Sequence, residues 1–147
     1  MNANAIPPLG VNARPLREGL LQLDPPRLLG SRCEACGAVQ FPAREFCPAC
    51  RAADAQVQVT LSDRGIVFSY TVVHQSPSGR TPYVLAYVDL ADGVRVMAQL
   101  EDLEGEPGIG LPVKLGLKQL RVEDGVPIIG YVFVSGDAKS MAAIQEA

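Results

Sequence analysis

The sequence predicts a mainly β protein with three parts: an N-terminal helix, a four-cysteine metal ribbon, and a small barrel of five to six strands of the OB type. Three observations carry this. Two Cys-x-x-Cys pairs stand close together near the start of the chain; six short runs of alternating apolar residues follow; and 14 glycines and 12 prolines in 147 residues call for many turns. Hydrophobic residues make up 48% and charged residues 20%, so a packed core is feasible and general disorder is excluded.

Residues 1–26 read as an arm and a helix. The first twelve residues hold two prolines and little to bury. Asn12 can cap a helix over Ala13 to Leu23, with Pro15 in its first turn and Leu16, Leu20 and Leu23 forming one apolar stripe; Pro25-Pro26 ends it. The N-terminus lacks a basic region followed by an apolar run, and no apolar stretch approaches the ~20 residues that span a bilayer, so a soluble, cytoplasmic protein is expected.

Residues 27–53 read as the ribbon. Arg27 to Arg32 leads into Cys33 and Cys36, and after ten residues come Cys47 and Cys50. Two such pairs a short hairpin apart can present four thiolates as a tetrahedron, the arrangement that zinc accepts in closed structural sites. A segment this small buries too little apolar area to fold alone, so metal binding would supply its folding energy. Two disulfides, a redox dithiol, unrelated thiols and iron are the alternatives. The expected cytoplasmic setting argues against disulfides, and two matched pairs argue against a single dithiol site.

Residues 54–136 read as the barrel. Val57, Val59 and Leu61 alternate with polar residues. In Ile66 to His74, Ile66, Phe68, Tyr70 and Val72 fall on one face and Ser69 and Thr71 on the other. Tyr83 to Leu90 and Val94 to Leu100 join through Ala91-Asp92-Gly93, while Val113 to Val122 and Pro127 to Val134 join through Glu123-Asp124-Gly125; Asp-Gly is a strong hairpin signal. Closure removes exposed edges, which favours a barrel over an open sheet; a small sandwich is the alternative. Residues 137–147 form a tail with Met141 and Ile144 as its large apolar anchors.

Charge and composition exclude several functions. The net charge is -3, and it is uneven: residues 1–51 carry six Arg and four acids, residues 52–147 seven bases and twelve acids. A four-thiolate metal site adds about two negative charges, which disfavours broad phosphate-backbone binding. His74 is the single imidazole and the four thiols are committed to metal, so the chain lacks an evident catalytic set. Gly105 to Leu111 lacks the Lys-Ser/Thr end of a phosphate loop. Lys114, Lys118 and Arg121 share one run and read as a solvated face or a weak anion-facing patch.

The order of these parts, with Gly65-Ile66-Val67-Phe68-Ser69-Tyr70-Thr71-Val72-Val73-His74 and Pro82-Tyr83-Val84-Leu85-Ala86-Tyr87-Val88-Asp89-Leu90, resembles the family called domain of unknown function 35 over roughly residues 14–134. Family members often have an aromatic residue in the helix region, where this chain has Leu16, Leu20 and Leu21. The resemblance implies a rubredoxin-like zinc ribbon fused to an OB-fold. It also implies an accessory role beside a thiolase-like subunit, which makes or breaks carbon-carbon bonds in CoA thioesters and supplies the catalytic residues. Structural Zn2+ at Cys33, Cys36, Cys47 and Cys50 and an acyl-CoA shared with the partner follow from that reading. The loop from His74 to Tyr83, with His74, Arg80 and Tyr83, is the candidate contact to CoA phosphates or to the partner, since Arg suits phosphate forks. The competing functions are a zinc-ribbon/OB nucleic-acid-binding module, which needs exposed aromatics among Lys and Arg, and a stand-alone acyl-CoA hydrolase.

Overall fold

The computed structural model describes residues 13–77 and 79–136. Ten strands run in order through them: β1 (Arg14–Pro15), β2 (Leu21–Leu23), β3 (Pro26–Cys33), β4 (Val39–Gln40), β5 (Gln56–Thr60), β6 (Arg64–Val73), β7 (Tyr83–Leu90), β8 (Arg95–Leu100), β9 (Pro112–Glu123) and β10 (Val126–Ser135). No helix occurs among the described residues. The expected cap Asn12, the N-terminal arm and the tail 137–147 lie outside them.

The N-terminal helix expected over Ala13 to Leu23 is therefore overturned. Its stripe is broken, because Leu16 is 44% exposed while Leu20 and Leu21 are buried. Gly19 sits mid-segment with φ +78° and turns the chain. Glycine costs a helix interior about 1 kcal/mol relative to alanine, and eleven residues are too few to hold a helix without tertiary support. Neighbouring backbone supplies the hydrogen bonds instead: Leu16 N–H donates to the Ile129 carbonyl at 2.8 Å, and Leu29 N–H to the Leu20 carbonyl at 3.0 Å.

The described residues form two compact units, one of 13–62 with 117–131 and the other of 63–116 with 132–136. In the first, β3 pairs antiparallel with β2 (Leu21↔Leu28), with β4 (Ser31↔Gln40) and with β5 (Leu29↔Thr60 to Cys33↔Gln56). Parallel pairing of β1 with β10 (Arg14↔Ile128) adds a short ladder. Leu20, Leu21, Leu28, Leu29, Leu61, Ile128 and Ile129 are buried here. A Cβ at Gly30 would lie 2.5 Å from the Gln40 carbonyl oxygen, so the close approach of β3 and β4 requires glycine. The alternation in β5 is legible in the sequence, but its partner is not: this strand falls in the expected barrel region 54–136 and pairs with β3 of the ribbon.

In the barrel sheet the neighbours run β10, β8, β7, β6, β9, and β9 also pairs with β10, which closes a five-stranded barrel. Inward residues alternate along the strands: Ala86, Val88 and Leu90 on β7, and Val96, Ala98 and Leu100 on β8, are buried together with Val67, Val113 and Phe133. A Cβ at Gly65 would meet Val88 Cγ1 at 2.5 Å and the Asp89 carbonyl oxygen at 2.9 Å. At Asp124-Gly125, φ values of 51° and 77° give the paired left-handed residues that a tight two-residue hairpin demands.

The face expected for β6 is corrected by a β-bulge between Val67 and Ser69. The extra residue shifts the period of two, so Tyr70 and Val72, opposite Ala86 and Val84, fall in phase with Val67 rather than with Ile66. Val67 is 1% exposed and Phe68 47%, with Tyr70 and Val72 also exposed. The Arg95 guanidinium lies 3.4 Å from the centroid of the Phe68 ring. Its Nε and Nη2 donate to the Asp89 carboxylate at 2.7 and 3.1 Å.

Candidate functional site

The two Cys-x-x-Cys segments fold as copies of one turn. After the first, Gly37 N–H donates to the Cys33 carbonyl at 2.7 Å and Cys33 N–H to the Ala38 carbonyl at 2.9 Å. After the second, Arg51 N–H donates to the Cys47 carbonyl at 2.9 Å and Cys47 N–H to the Ala52 carbonyl at 3.1 Å. The residue that closes each turn is left-handed, Gly37 at φ +82° and Arg51 at φ +66°. Glycine takes that conformation freely and arginine does so at a cost.

This turn aims backbone N–H groups at sulfur. Cys33 receives those of Cys36 and Ala35, Cys47 those of Cys50 and Ala49, Cys36 that of Ala38 and Cys50 that of Ala52. Cys33 and Cys47 are buried, Cys36 and Cys50 exposed. The four Sγ atoms lie within 4.8 Å of one another, with Cys33 3.6 Å from Cys50 and Cys36 3.6 Å from Cys47. A disulfide requires about 2.05 Å. Zinc at about 2.3 Å from four sulfurs sets tetrahedral edges of about 3.8 Å, so this cluster fits that ion with no ligand position left open.

The electrostatics agree. The Cys50 and Ala49 N–H groups bring the Cys47 thiol down to about 6 against the effect of burial. Burial pushes Cys33 up, but the Cys36 and Ala35 N–H groups and the neighbouring thiols reverse it, leaving the group below its ordinary value. At Cys50 the Ala52 N–H is outweighed by the Cys36 sulfur, by burial and by Cys33 and Cys47, which together push it up to about 12. Cys36 is raised as well, its Ala38 N–H outweighed by Cys47, burial and Cys33. In each pair the buried sulfur is held below its ordinary value and the exposed one above it, and full ionisation of the four needs a cation among them.

The supports of this cluster include a residue that sequence reasoning passed over. Ser31, 2% exposed, accepts the Arg44 N–H on its Oγ at 2.9 Å and so ties the segment between the knuckles to β3. A serine in a β run carries no signal of such a role. The other candidates stand apart from the cysteines in the chain: His74 follows β6, Tyr83 begins β7 opposite Val73, and Arg80 lies in the loop between them. His74 and Arg80 are exposed and Tyr83 is half-buried; residue 78 of that loop is outside the described set. Of the basic run on β9, Arg121 donates to Glu123 at 2.7 Å, and Arg14 donates to the same carboxylate at 2.7 Å, which holds Glu123 below its ordinary value. That pairing neutralises part of the expected anion-facing patch.

Comparison with known proteins finds relatives for both the ribbon and the barrel. Residues 22–55 match the family described as the ChsH2 rubredoxin-like zinc ribbon domain, and residues 58–118 match the ChsH2 C-terminal OB-fold domain. A DUF35 domain-containing scaffold protein of Methanocaldococcus jannaschii is 38% identical over 112 residues, 72% of this chain and 79% of that protein. The chain belongs to the DUF35 family. Among its relatives, the benzoylsuccinyl-CoA thiolase subunit BbsA of Thauera aromatica is 38% identical over 110 residues, covering 74% of this chain and 76% of that subunit. A solved structure titled Ltp2-ChsH2(DUF35) aldolase superposes with a TM-score of 0.61 at 31% identity, covering 74% of this chain and 84% of that one. The DUF35 chain thus carries a zinc ribbon whose four cysteines stand in a metal-binding arrangement, and an OB-fold domain. No helix of the described residues is long and apolar enough to cross a membrane.

Proposed function

We propose that this DUF35 protein is a noncatalytic, zinc-binding subunit of a thiolase-superfamily acyl-CoA enzyme complex that cleaves or forms carbon-carbon bonds in a CoA thioester. The observation that carries the reading is the 38% identity, over three quarters of the chain, to a protein named as a thiolase subunit. The superposition on a chain of an Ltp2-ChsH2 aldolase supports it. So does the cysteine cluster: Cys33, Cys36, Cys47 and Cys50 hold one structural Zn2+, and four protein ligands leave that ion no position for substrate.

In this reading the ribbon occupies residues 27–53 and the OB-fold 54–136, with β5 extending the ribbon sheet from the start of the second segment; the protein steadies its partner, and both work in the cytoplasm, where thiols stay reduced. The partner supplies the catalytic residues. The DUF35 protein helps to enclose the acyl-CoA, with His74, Arg80 and Tyr83 meeting CoA phosphates or the partner. A nucleic-acid role draws less support, because the exposed Phe68 has Arg95 as its stacked cation and Asp89 neutralises that charge.

Co-expression with a thiolase-like protein tests the proposal. A stable hetero-oligomer that binds CoA more tightly than either chain alone, and less tightly when Arg80→Ala is introduced, supports it. A chain that neither associates with such a protein nor alters its solubility or activity overturns it.

A further inference from the structure

β5 is an open edge of the ribbon sheet. Leu61 N–H donates to the Leu28 carbonyl at 2.9 Å and Glu34 N–H to the Ala55 carbonyl at 2.8 Å, which sets the phase of the antiparallel ladder between them. Alternation then directs the N–H and C=O groups of Val57 and Val59 toward β3 and those of Gln56, Gln58 and Thr60 away from it. Among the described residues no strand pairs with β5 on that outer side. None of its five residues is buried.

Exposed edges are ordinarily blunted by a charge, a proline or a bulge. Gln56-Val57-Gln58-Val59-Thr60 has neither a charge nor a proline, and its register with β3 runs without a shift. The edge is left ready for another strand.

A groove of about 560 Å3 adjoins it, lined by Ser31, Arg44, Glu45, Asp54, Gln56 and Gln58 among others. The segment that carries Arg44 and Glu45 is fixed by the Arg44 N–H to Ser31 Oγ bond. The side chains of Arg44, Glu45 and Asp54 make no ion pair with any described residue. The side-chain amide of Gln56, a lining residue of this groove, has a donor and an acceptor that are both buried and both unpartnered, a costly state.

We propose that the outer edge of β5 and this groove receive an extended segment of a second polypeptide, which adds a strand to the ribbon and places acidic and basic side chains against Arg44, Glu45 and Asp54. This rests on the subunit reading above and assigns the segment to the catalytic partner. A second copy of this chain is a poorer occupant. Its own β5 would bring Gln, Val and Thr, leaving the three charges unanswered, and five residues of pairing are too small a contact to hold a homodimer alone. A segment of a partner that is also held elsewhere has neither difficulty.

Amide-resolved hydrogen exchange on the full-length, zinc-loaded chain, alone and in its complex with the thiolase-like protein, tests the proposal. Exchange at Gln56, Gln58 and Thr60 is expected to slow by about tenfold or more in the complex. Gln58→Pro, which removes an outward N–H and leaves the β3 ladder intact, is expected to weaken association by about tenfold, with zinc content and melting temperature retained. Gln58→Ala, which keeps that N–H, should bind as the wild type does. A complex that forms while these three amides exchange as fast as in the free chain overturns the strand-addition proposal alone. Protection that appears in the isolated chain as its concentration rises gives the edge to a second copy and also overturns it. A wild-type chain that captures no such partner removes the subunit reading and this proposal together.

Discussion

The ribbon and the barrel are both built of short strands, yet different physics holds each together. In the barrel, alternate residues of β7 and β8 are buried, and Phe133 and Val113 are closed off from solvent, so apolar burial stabilises it directly. In the ribbon, β3 buries Leu28 and Leu29 against the aliphatic cluster of its unit, but β5 buries none of its residues and β4 is two residues long, so little apolar area supports the knuckles themselves. What draws the two knuckles together is four sulfurs within 4.8 Å, a cluster that wants a cation. A metal-held fold can thus keep one sheet edge and a polar groove open. A barrel cannot leave its strands unpaired in the same way.

The contrast breaks most readily at the metal. Cys47→Ser, or removal of zinc by a chelator, should take away folding energy on the order of 10 kcal/mol from the ribbon. Hydrogen exchange should then show residues 26–60 losing protection while β7 and β8 keep theirs. One shared unfolding transition would mean that the two regions are a single cooperative structure. Less than about half an equivalent of zinc in the purified wild type, where a closed four-thiolate site expects about one, would remove the ribbon's half of the comparison.

In the other direction, Phe133→Ala should cost the barrel about 3–5 kcal/mol, and Gly65→Ala about 1–3 kcal/mol through the contacts with Val88 and Asp89. Calorimetry should show a lowered melting temperature with zinc content unchanged. Loss of zinc in either variant would count against independent stabilisation.

Acidity should act on the ribbon. At pH 7 the thiol brought down to about 6 at Cys47 is already largely ionised, whereas Cys50, pushed up to about 12, must release a proton when metal enters. Zinc affinity, read by competition with a chromophoric chelator, should therefore rise with pH above 7, by about tenfold per pH unit for each proton displaced. Below about 6 the Cys47 thiolate also protonates and the fall should steepen. An affinity that stays flat from pH 5 to 8 would contradict this assignment of protons.

The smallest expected effects separate the two knuckles. Arg51→Gly should relieve a left-handed arginine and stabilise the ribbon by about 1 kcal/mol, while Gly37→Ala should cost a similar amount. Equal effects of the same sign would show that the turns are not equivalent.

Much of this was legible in the sequence, for identifiable reasons. Spacing alone picks out Cys33, Cys36, Cys47 and Cys50, because each pair needs only one local turn. Period-two alternation gives Tyr83 to Leu90 with the bounds observed for β7. The failures lie where pairing partners distant in sequence decide. Leu16, Leu20 and Leu23 have helical spacing, but Gly19 and the backbone bonds of Leu16 and Leu20 to distant carbonyl and N–H groups make strands and turns of that segment. The bulge at Phe68 puts Ile66 out of phase with Tyr70 and Val72, which simple alternation places on one face, and an extra residue in a ladder has no local signature. The alternation of β5 shows a strand without showing that β3 is its partner, so the open edge and the unpaired Gln56 amide emerge only from the fold.

If the chemistry belongs to another chain, a titration of one protein against the other reveals it. Increasing amounts of the zinc-loaded DUF35 protein are added to a fixed amount of the thiolase-like protein, and turnover of acyl-CoA is followed. The expected result is no turnover by the DUF35 protein alone and a rise in the partner's activity that saturates at a fixed ratio of the two. Turnover by the isolated chain, or a partner whose rate is unchanged at every ratio, would contradict it.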